Sequence, residues 1–242
     1  MCGIAGFCSF KLDFLQKAGF WQQILLDMRG SLAHRGKDSS GEYLKEHVGL
    51  GHARLAIRDL AFGGQPLVRR IGGREYAIVY NGEIYNVDEL KPQLKAAGYR
   101  FGTATDTEVI LYAYIEYGAA FVSGLNGIFA FAIWDGHKQQ LLLYRDRLGV
   151  KPLFYTCRDD MLIFGSEIKA LFNHPLVVPE VTMDSFREIF GLGPARTPGC
   201  GVFKDIFEVL PGHYQVFSND GLREQRYWRL VARDHTETYD QT

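Results

Sequence analysis

The chain has 242 residues, and 27 Lys+Arg against 28 Asp+Glu give it a formal net charge of −1. A near-neutral surface offers no field to hold nucleic acid or an anionic membrane, which sets both aside as partners. Hydrophobic residues at 47% and aromatics at 14% suffice for a packed core and exclude a disordered composition. The apolar run at 127–134 is far short of the ~20 residues that span a bilayer. No charged segment followed by an apolar stretch opens the chain. Four cysteines without regular spacing fit a reducing compartment, so a cytoplasmic globular protein is expected.

In chain order, residues 4–10 read as a strand. Residues 14–31 carry apolar side chains at helical spacing (Phe14, Ala18, Trp21, Leu25, Met28, then Leu32), which predicts a helix with one buried face. Residues 34–41 are polar and end in Gly41, the pattern of a loop. Residues 49–57 and 76–85 read as strands. A helix over 87–97 stops at Gly98, a residue type that terminates helices in the left-handed conformation. Another helix over 105–117 opens with Thr105-Asp106-Thr107-Glu108, a hydroxyl followed three residues later by Glu, which predicts a capping box.

Apolar runs 128–134 and 140–145 flank Asp135-Gly136, a hairpin signal. Runs 153–157 and 161–166 surround Asp159-Asp160, and 215–217 and 224–228 surround Asn219-Asp220-Gly221. Three hairpins around two or three helices argue for an antiparallel α+β domain rather than alternating βαβ units. We expect one domain over residues 2–226, with the polar residues 227–242 as a linker.

Several common chemistries find no motif. Gly30 and Gly36-Lys37-Asp38 are separated by five residues and end in Asp, which breaks a phosphate-binding loop. Gly191-Leu192-Gly193 lacks a third glycine and a preceding strand, and no Gly-x-Ser-x-Gly elbow occurs. Cys2 and Cys8 are six apart, Cys157 and Cys200 are isolated, and no metal site is expected.

Cys2 stands out by position. Most cysteines are small buried hydrophobes, but removal of Met1 would give this one a thiol and a free α-amine together. Such an amine has a reference pKa of about 7.7–8.0, so part of it is an unprotonated base at neutral pH. It can then take the thiol proton directly or through a water. Asn81-Gly82, after an apolar strand, is by itself the strongest signal for a tight hairpin turn.

With that pair in place, Met1-Cys2-Gly3-Ile4-Ala5-Gly6 resembles the start of the class II glutamine amidotransferases. The rest of the chain is most similar to the glutaminase half of the glutamine-hydrolysing asparagine synthetases. The similarity runs through His34-Arg35-Gly36-Lys37-Asp38, His52-Ala53-Arg54-Leu55-Ala56-Ile57, Gln65-Pro66-Leu67 and Asn81-Gly82-Glu83-Ile84-Tyr85-Asn86. It continues through Thr105-Asp106-Thr107-Glu108, Asn126-Gly127-Ile128-Phe129-Ala130-Phe131, the stretch from Arg145 to Leu153, and Ser166-Glu167-Ile168-Lys169-Ala170-Leu171.

The resemblance implies a four-layer αββα N-terminal nucleophile (Ntn) hydrolase sandwich with two antiparallel sheets. It implies that Cys2 attacks the side-chain amide of L-glutamine while Asn81 and Gly82 hold the oxyanion. Arg54 matches the residue that binds the substrate carboxylate, and Asp106 and Glu83 match those at its ammonium. Leu55, Ile57 and Arg58 line the same pocket through their backbone. His52 is a general base by composition, but the α-amine fills that role in the family, which makes a structural His the expectation. Arg145-Asp146-Arg147 is expected to tie a loop by ion pairs beside the site, and Cys8, Cys157 and Cys200 to be inert.

The pyrophosphate loop of the family's synthetase domain, Ser-Gly-Gly-x-Asp-Ser, appears nowhere in the sequence. The resemblance therefore implies an isolated glutaminase domain that needs no cofactor. ATP and Mg belong to the absent synthetase domain, normally part of the same chain, and a homodimer is possible. Two alternatives stay open: a glutaminase that serves another amide-forming enzyme, such as a glucosamine-phosphate synthase or a phosphoribosyl amidotransferase, and a catalytically silent scaffold.

Overall fold

The computed structural model describes residues 1–56, 63–193 and 195–232. The chain begins with β1 (Gly3–Ser9), α1 (Ala18–Gly30), β2 (Ser39–Leu44), β3 (Val48–Arg54), β4 (Leu67–Ile71) and β5 (Arg74–Ile84). Two helices follow, α2 (Val87–Ala96) and α3 (Asp106–Tyr117), and then the strands β6 (Gly127–Asp135), β7 (Gln140–Arg145), β8 (Phe154–Arg158) and β9 (Met161–Gly165). The remainder is α4 (Ile168–Leu171), α5 (Met183–Leu192), β10 (Phe207–Glu208), β11 (His213–Ser218) and β12 (Gly221–Arg226).

Two six-stranded antiparallel sheets form, ordered β10-β8-β9-β1-β3-β2 and β12-β11-β7-β6-β5-β4. Period-two alternation assigns the faces of β5. Ala77 and Val79 join Ile4, Leu50 and Phe164 in the layer between the sheets, while Ile78 and Tyr80 pack outward with Val109 and Ile110 of α3. On the other sheet, Phe7 packs outward with Leu25 and Met28 of α1. The order of layers is αββα, as expected. Central strands covered on both faces are apolar throughout, which is why β6 and β7 read as continuous hydrophobic runs.

Four local expectations need correction. The helix over 14–31 is broken: a 3-10 turn over Phe14–Lys17, capped by the Asp13 side chain, precedes α1. The loop over 34–41 ends early, because Ser39, Ser40 and Gly41 pair with Arg54, Ala53 and His52 as the start of β2. The capping box at Thr105 does not form. Glu108 instead accepts from the Gly102 and Thr103 amides (3.1 and 2.8 Å) and pairs with Arg69 at 2.8 Å, tying the loop before α3 to β4. The strand expected over 49–57 ends at Arg54, and Ile57 lies outside the described residues. The three hairpins form where the sequence put them.

Phe131 is fully buried in the outer core of the second sheet, stacked on Tyr144 at 4.6 Å between centroids. Phe131→Ala should cost about 3–5 kcal/mol in chemical denaturation. A loss under about 1 kcal/mol would contradict the packing described.

Candidate active site

The site begins where β4 ends. Pairing of β5 with β4 stops at Ile78↔Leu67, while β5 continues six residues further against β6. The outer edge of β5 is therefore open from Tyr80 to Ile84, and its polar groups need partners. Tyr80 N–H donates to the Gln65 side chain (2.6 Å), the Tyr80 carbonyl accepts from His52 Nε2 (3.1 Å), and Ile84 N–H donates to Asp106 (3.2 Å). Alternation along an antiparallel strand puts Gly82 N–H on this same edge, between those two amides. Asn81 points the other way, into the layer between the sheets. It is 2% exposed, and its Nδ2 is buried with no partner among the described residues. Asn81 and Gly82 pair with Ala130 and Phe129, so this Asn-Gly lies inside a strand and is not a hairpin turn.

Cys2 comes to this edge from the facing sheet. It precedes β1, whose pairing with β3 starts at Gly3↔Ala53. Its Sγ lies 3.4 Å from the Leu55 amide and 3.5 Å from the Leu55 carbonyl. Asp38 holds that segment by accepting from Ala56 N (2.7 Å) while its own amide donates to the Arg54 carbonyl (3.0 Å). A single pocket is lined by Cys2, Arg54, Leu55, Asn81, Gly82, Glu83 and Asp106. Ile57 and Arg58 lie outside the described residues.

The charges around this pocket are balanced. Arg54 and Lys151 face it as cations, Glu83 and Asp106 as anions. Arg54 follows His52 by two residues on β3 and so shares its inward face. Asp106, at the first position of α3, is fixed by Tyr80 Oη, which donates to it at 2.7 Å. Burial and the neighbouring Asp106 carboxylate push the Tyr80 phenol well up, so it remains a donor. A small zwitterion suits such a site.

His52 sits fully buried beneath β5. Its Nε2 must carry the proton that it donates to Tyr80, and burial pushes its pKa down to about 4 against the effect of that bond, aided by the Arg54 cation. It therefore braces β5 as a neutral ring. Arg145 and Asp146 tie a loop through backbone groups more than through ion pairs: Arg145 Nε donates to the Lys151 carbonyl (3.0 Å), Asp146 accepts the Leu148, Val150 and Lys151 amides (2.9–3.1 Å), and Arg145 also pairs with Glu208 at 2.9 Å. Burial pushes the Cys8 thiol well up and that of Cys157 to about 11, which keeps both protonated.

Sequence reasoning missed Gln65, Lys151 and Arg35 at this site. Gln65 lay in a quoted motif, but its partner Tyr80 is fifteen residues away on another strand. Lys151 lines the pocket and reaches Met1 Sδ at 3.3 Å. Arg35 Nε donates to the Cys2 carbonyl at 2.9 Å. Among the described residues, no group of three or more His, Cys, Asp or Glu is placed to hold a metal ion, and no helix is long and apolar enough to cross a membrane.

A family model described as a glutamine amidotransferase domain matches residues 1–228. The chain belongs to this family. Asparagine synthetase [glutamine-hydrolyzing] 3 of Bacillus subtilis is 46% identical over 242 residues, covering 100% of this chain and 39% of that protein. Asparagine synthetase [glutamine-hydrolyzing] 2 of the same organism is 42% identical over 236 residues, 95% of this chain and 31% of that protein. The chain thus spans well under half the length of these relatives. Glutamine phosphoribosylpyrophosphate amidotransferase of B. subtilis, solved with ADP and GMP, superposes with a TM-score of 0.67 at 22% identity, covering 96% of this chain and 50% of that one. That likeness is one of fold, the Ntn-hydrolase sandwich.

Two buried histidines give this amidotransferase domain a testable acid response. His174, packed on Phe7 and Trp21, is also held down to about 4 by burial. Unfolded, each titrates near 6.5, so between pH 6.5 and 4 the unfolded state binds more protons and stability falls as pH falls. Each contributes at most about 3 kcal/mol to that loss. Thermal denaturation across this window should show the decline, with about half of it removed in His52→Asn. An unchanged slope in the variant would contradict a neutral, buried His52.

Proposed function

We propose that this chain hydrolyses the side-chain amide of L-glutamine to glutamate and ammonia, with Cys2 as nucleophile once Met1 is removed. The observation that carries this reading is the buried, unpartnered Asn81 Nδ2 beside the open edge of β5, in one pocket with Cys2. A buried donor left without an acceptor costs free energy unless a bound group completes it.

The freed α-amine takes the thiol proton, and the thiolate adds to the amide carbon. Negative charge then develops on the amide oxygen between Asn81 Nδ2 and Gly82 N–H. Collapse breaks the C–N bond, and the protonated amine passes its proton to the departing ammonia. Water attacks the resulting γ-glutamyl thioester with the amine again as base, releasing glutamate and restoring the thiol. Arg54 binds the α-carboxylate, for which a guanidinium fork is well shaped. Asp106 and Glu83 take the ammonium, and Leu55 completes the wall.

In a longer parent resembling its relatives, the ammonia would be consumed at a synthetase domain that amidates aspartate with ATP and magnesium. No residue of this chain is assigned to ATP or magnesium. The reading places the reaction in the cytoplasm, where a free thiol stays reduced.

The test is intact mass followed by a glutaminase assay on the same sample. Protein lacking Met1 should release glutamate. Cys2→Ala should abolish turnover, and Asn81→Ala should lower kcat by about 10²–10³ with little change in KM. Turnover by Cys2→Ala would overturn the mechanism.

A further inference from the structure

Ser166 and Glu167 connect β9 to α4 and are not part of the pocket lining. Their bonds nevertheless converge on the residues that carry the nucleophile. β1 is paired on both sides from Ala5 onward, but its ladder with β9 ends at Ala5↔Gly165. Gly3 and Ile4 have β3 on one side and no strand on the other. Chain ends tied on one side only tend to fray.

The corner continues the missing ladder. Fully buried Ser166 donates its amide to the Ile4 carbonyl (2.8 Å) and accepts the Ile4 amide on its hydroxyl (3.0 Å). Glu167 then accepts from Arg35 Nη1 (2.8 Å), and Arg35 Nε donates to the Cys2 carbonyl (2.9 Å). Gly3 lets this segment pack against Leu32 beside Arg35, since a Cβ there would come within 2.8 Å of the Leu32 side chain. The Arg35 side chain is 8% exposed and Glu167 27%, so the guanidinium end of this pair is shielded from solvent. His34 and Lys169 also bond Glu167, but each is half exposed, where ion pairs contribute little. Burial lifts the Glu167 carboxyl, yet the bonds from Arg35, His34 and Lys169 outweigh it and hold it at about 2, so it stays ionised.

We infer that the Ser166–Glu167 corner is a positioning device for the nucleophile: it extends the pairing of β1 past the end of β9 and, through Arg35, fixes the backbone of Cys2. Neither residue touches substrate. Glu167 acts through Arg35 and Ser166 through Ile4. Without them the thiol loses its register with Asn81 and Gly82, and a displacement near 1 Å at a reacting atom is worth about a hundredfold in rate.

The kinetic part of the test rests on the glutaminase reading, and the second part does not. Glu167→Ala should lower kcat for glutamine about 10–100-fold with KM within about threefold, since the pocket that holds the amino acid is untouched. Glu167→Gln, which keeps an acceptor for Arg35, should recover most of that loss, and Lys169→Ala should leave kcat within about twofold. By NMR amide exchange on the same full chains, Gly3 and Ile4 should exchange at least ~10-fold faster in Glu167→Ala and in Ser166→Ala, with Ala130 and Ala132 of β6 unchanged. Wild-type kcat in Glu167→Ala, a change in KM alone, or uniform loss of protection across the fold would overturn the inference. If the wild-type chain itself failed to hydrolyse glutamine, the glutaminase reading would fall, and the exchange of Gly3 and Ile4 would decide the positioning role on its own.

Discussion

Everything at the site depends on one strand outrunning its neighbour. β5 continues past Leu67, the first residue of antiparallel β4, and its open edge presents backbone groups that must be satisfied. Gln65, His52 and Asp106 each satisfy one of them, and each is thereby fixed in place. Gly82 N–H, between the Tyr80 and Ile84 amides, is left facing the pocket beside Asn81 Nδ2, which has no partner among the described residues. Under the proposed reaction, these two donors would form an oxyanion hole set in place by the sheet itself, at no reorganisation cost.

The same edge explains the layered arrangement. Tyr80 faces the helices and reaches Asp106 at the start of α3, whereas Asn81 faces the opposite sheet, from which Cys2 approaches. Adjacent residues of one strand can thus serve both the ammonium end and the amide end of a small amino acid. Arg54 reaches the pocket from β3 because it has the same inward parity as His52, which braces β5 from below. Cys2 leads into β1 of one sheet while Asn81 and Gly82 lie on β5 of the other, so their relative position rests on the apolar layer between the sheets.

Much of this was legible in the sequence, for identifiable reasons. The hairpin strands read as short apolar runs bounded by turn residues, continuous in β6 and β7. Cys2, Arg54, Leu55, Asn81, Gly82, Glu83 and Asp106 sit in ordered motifs, and the structure brings them to one pocket. Ile57 and Arg58 lie outside the described residues. What the sequence hid were the long-range pairings. Glu108 has the spacing of a helix cap, but a loop with free amides and Arg69 compete for its carboxylate and win. Gln65 looks like a loop residue until the end of β4 leaves Tyr80 N–H without a partner. Arg35 and Glu167 lie 132 positions apart, and no local pattern joins them. Pairs of this kind are fixed by topology, which periodicity does not report.

The central claim is that Cys2 Sγ, Asn81 Nδ2 and Gly82 N–H act on one carbon–oxygen bond. The most direct measurement is a crystal structure of the Met1-free protein treated with a glutamine analogue bearing a diazoketone in place of the amide, preceded by peptide mapping of the adduct. The account predicts a single adduct on Cys2 with the ketone oxygen about 2.7–3.1 Å from both Asn81 Nδ2 and Gly82 N. An adduct on another residue, or a ketone oxygen turned away from both donors, would contradict it.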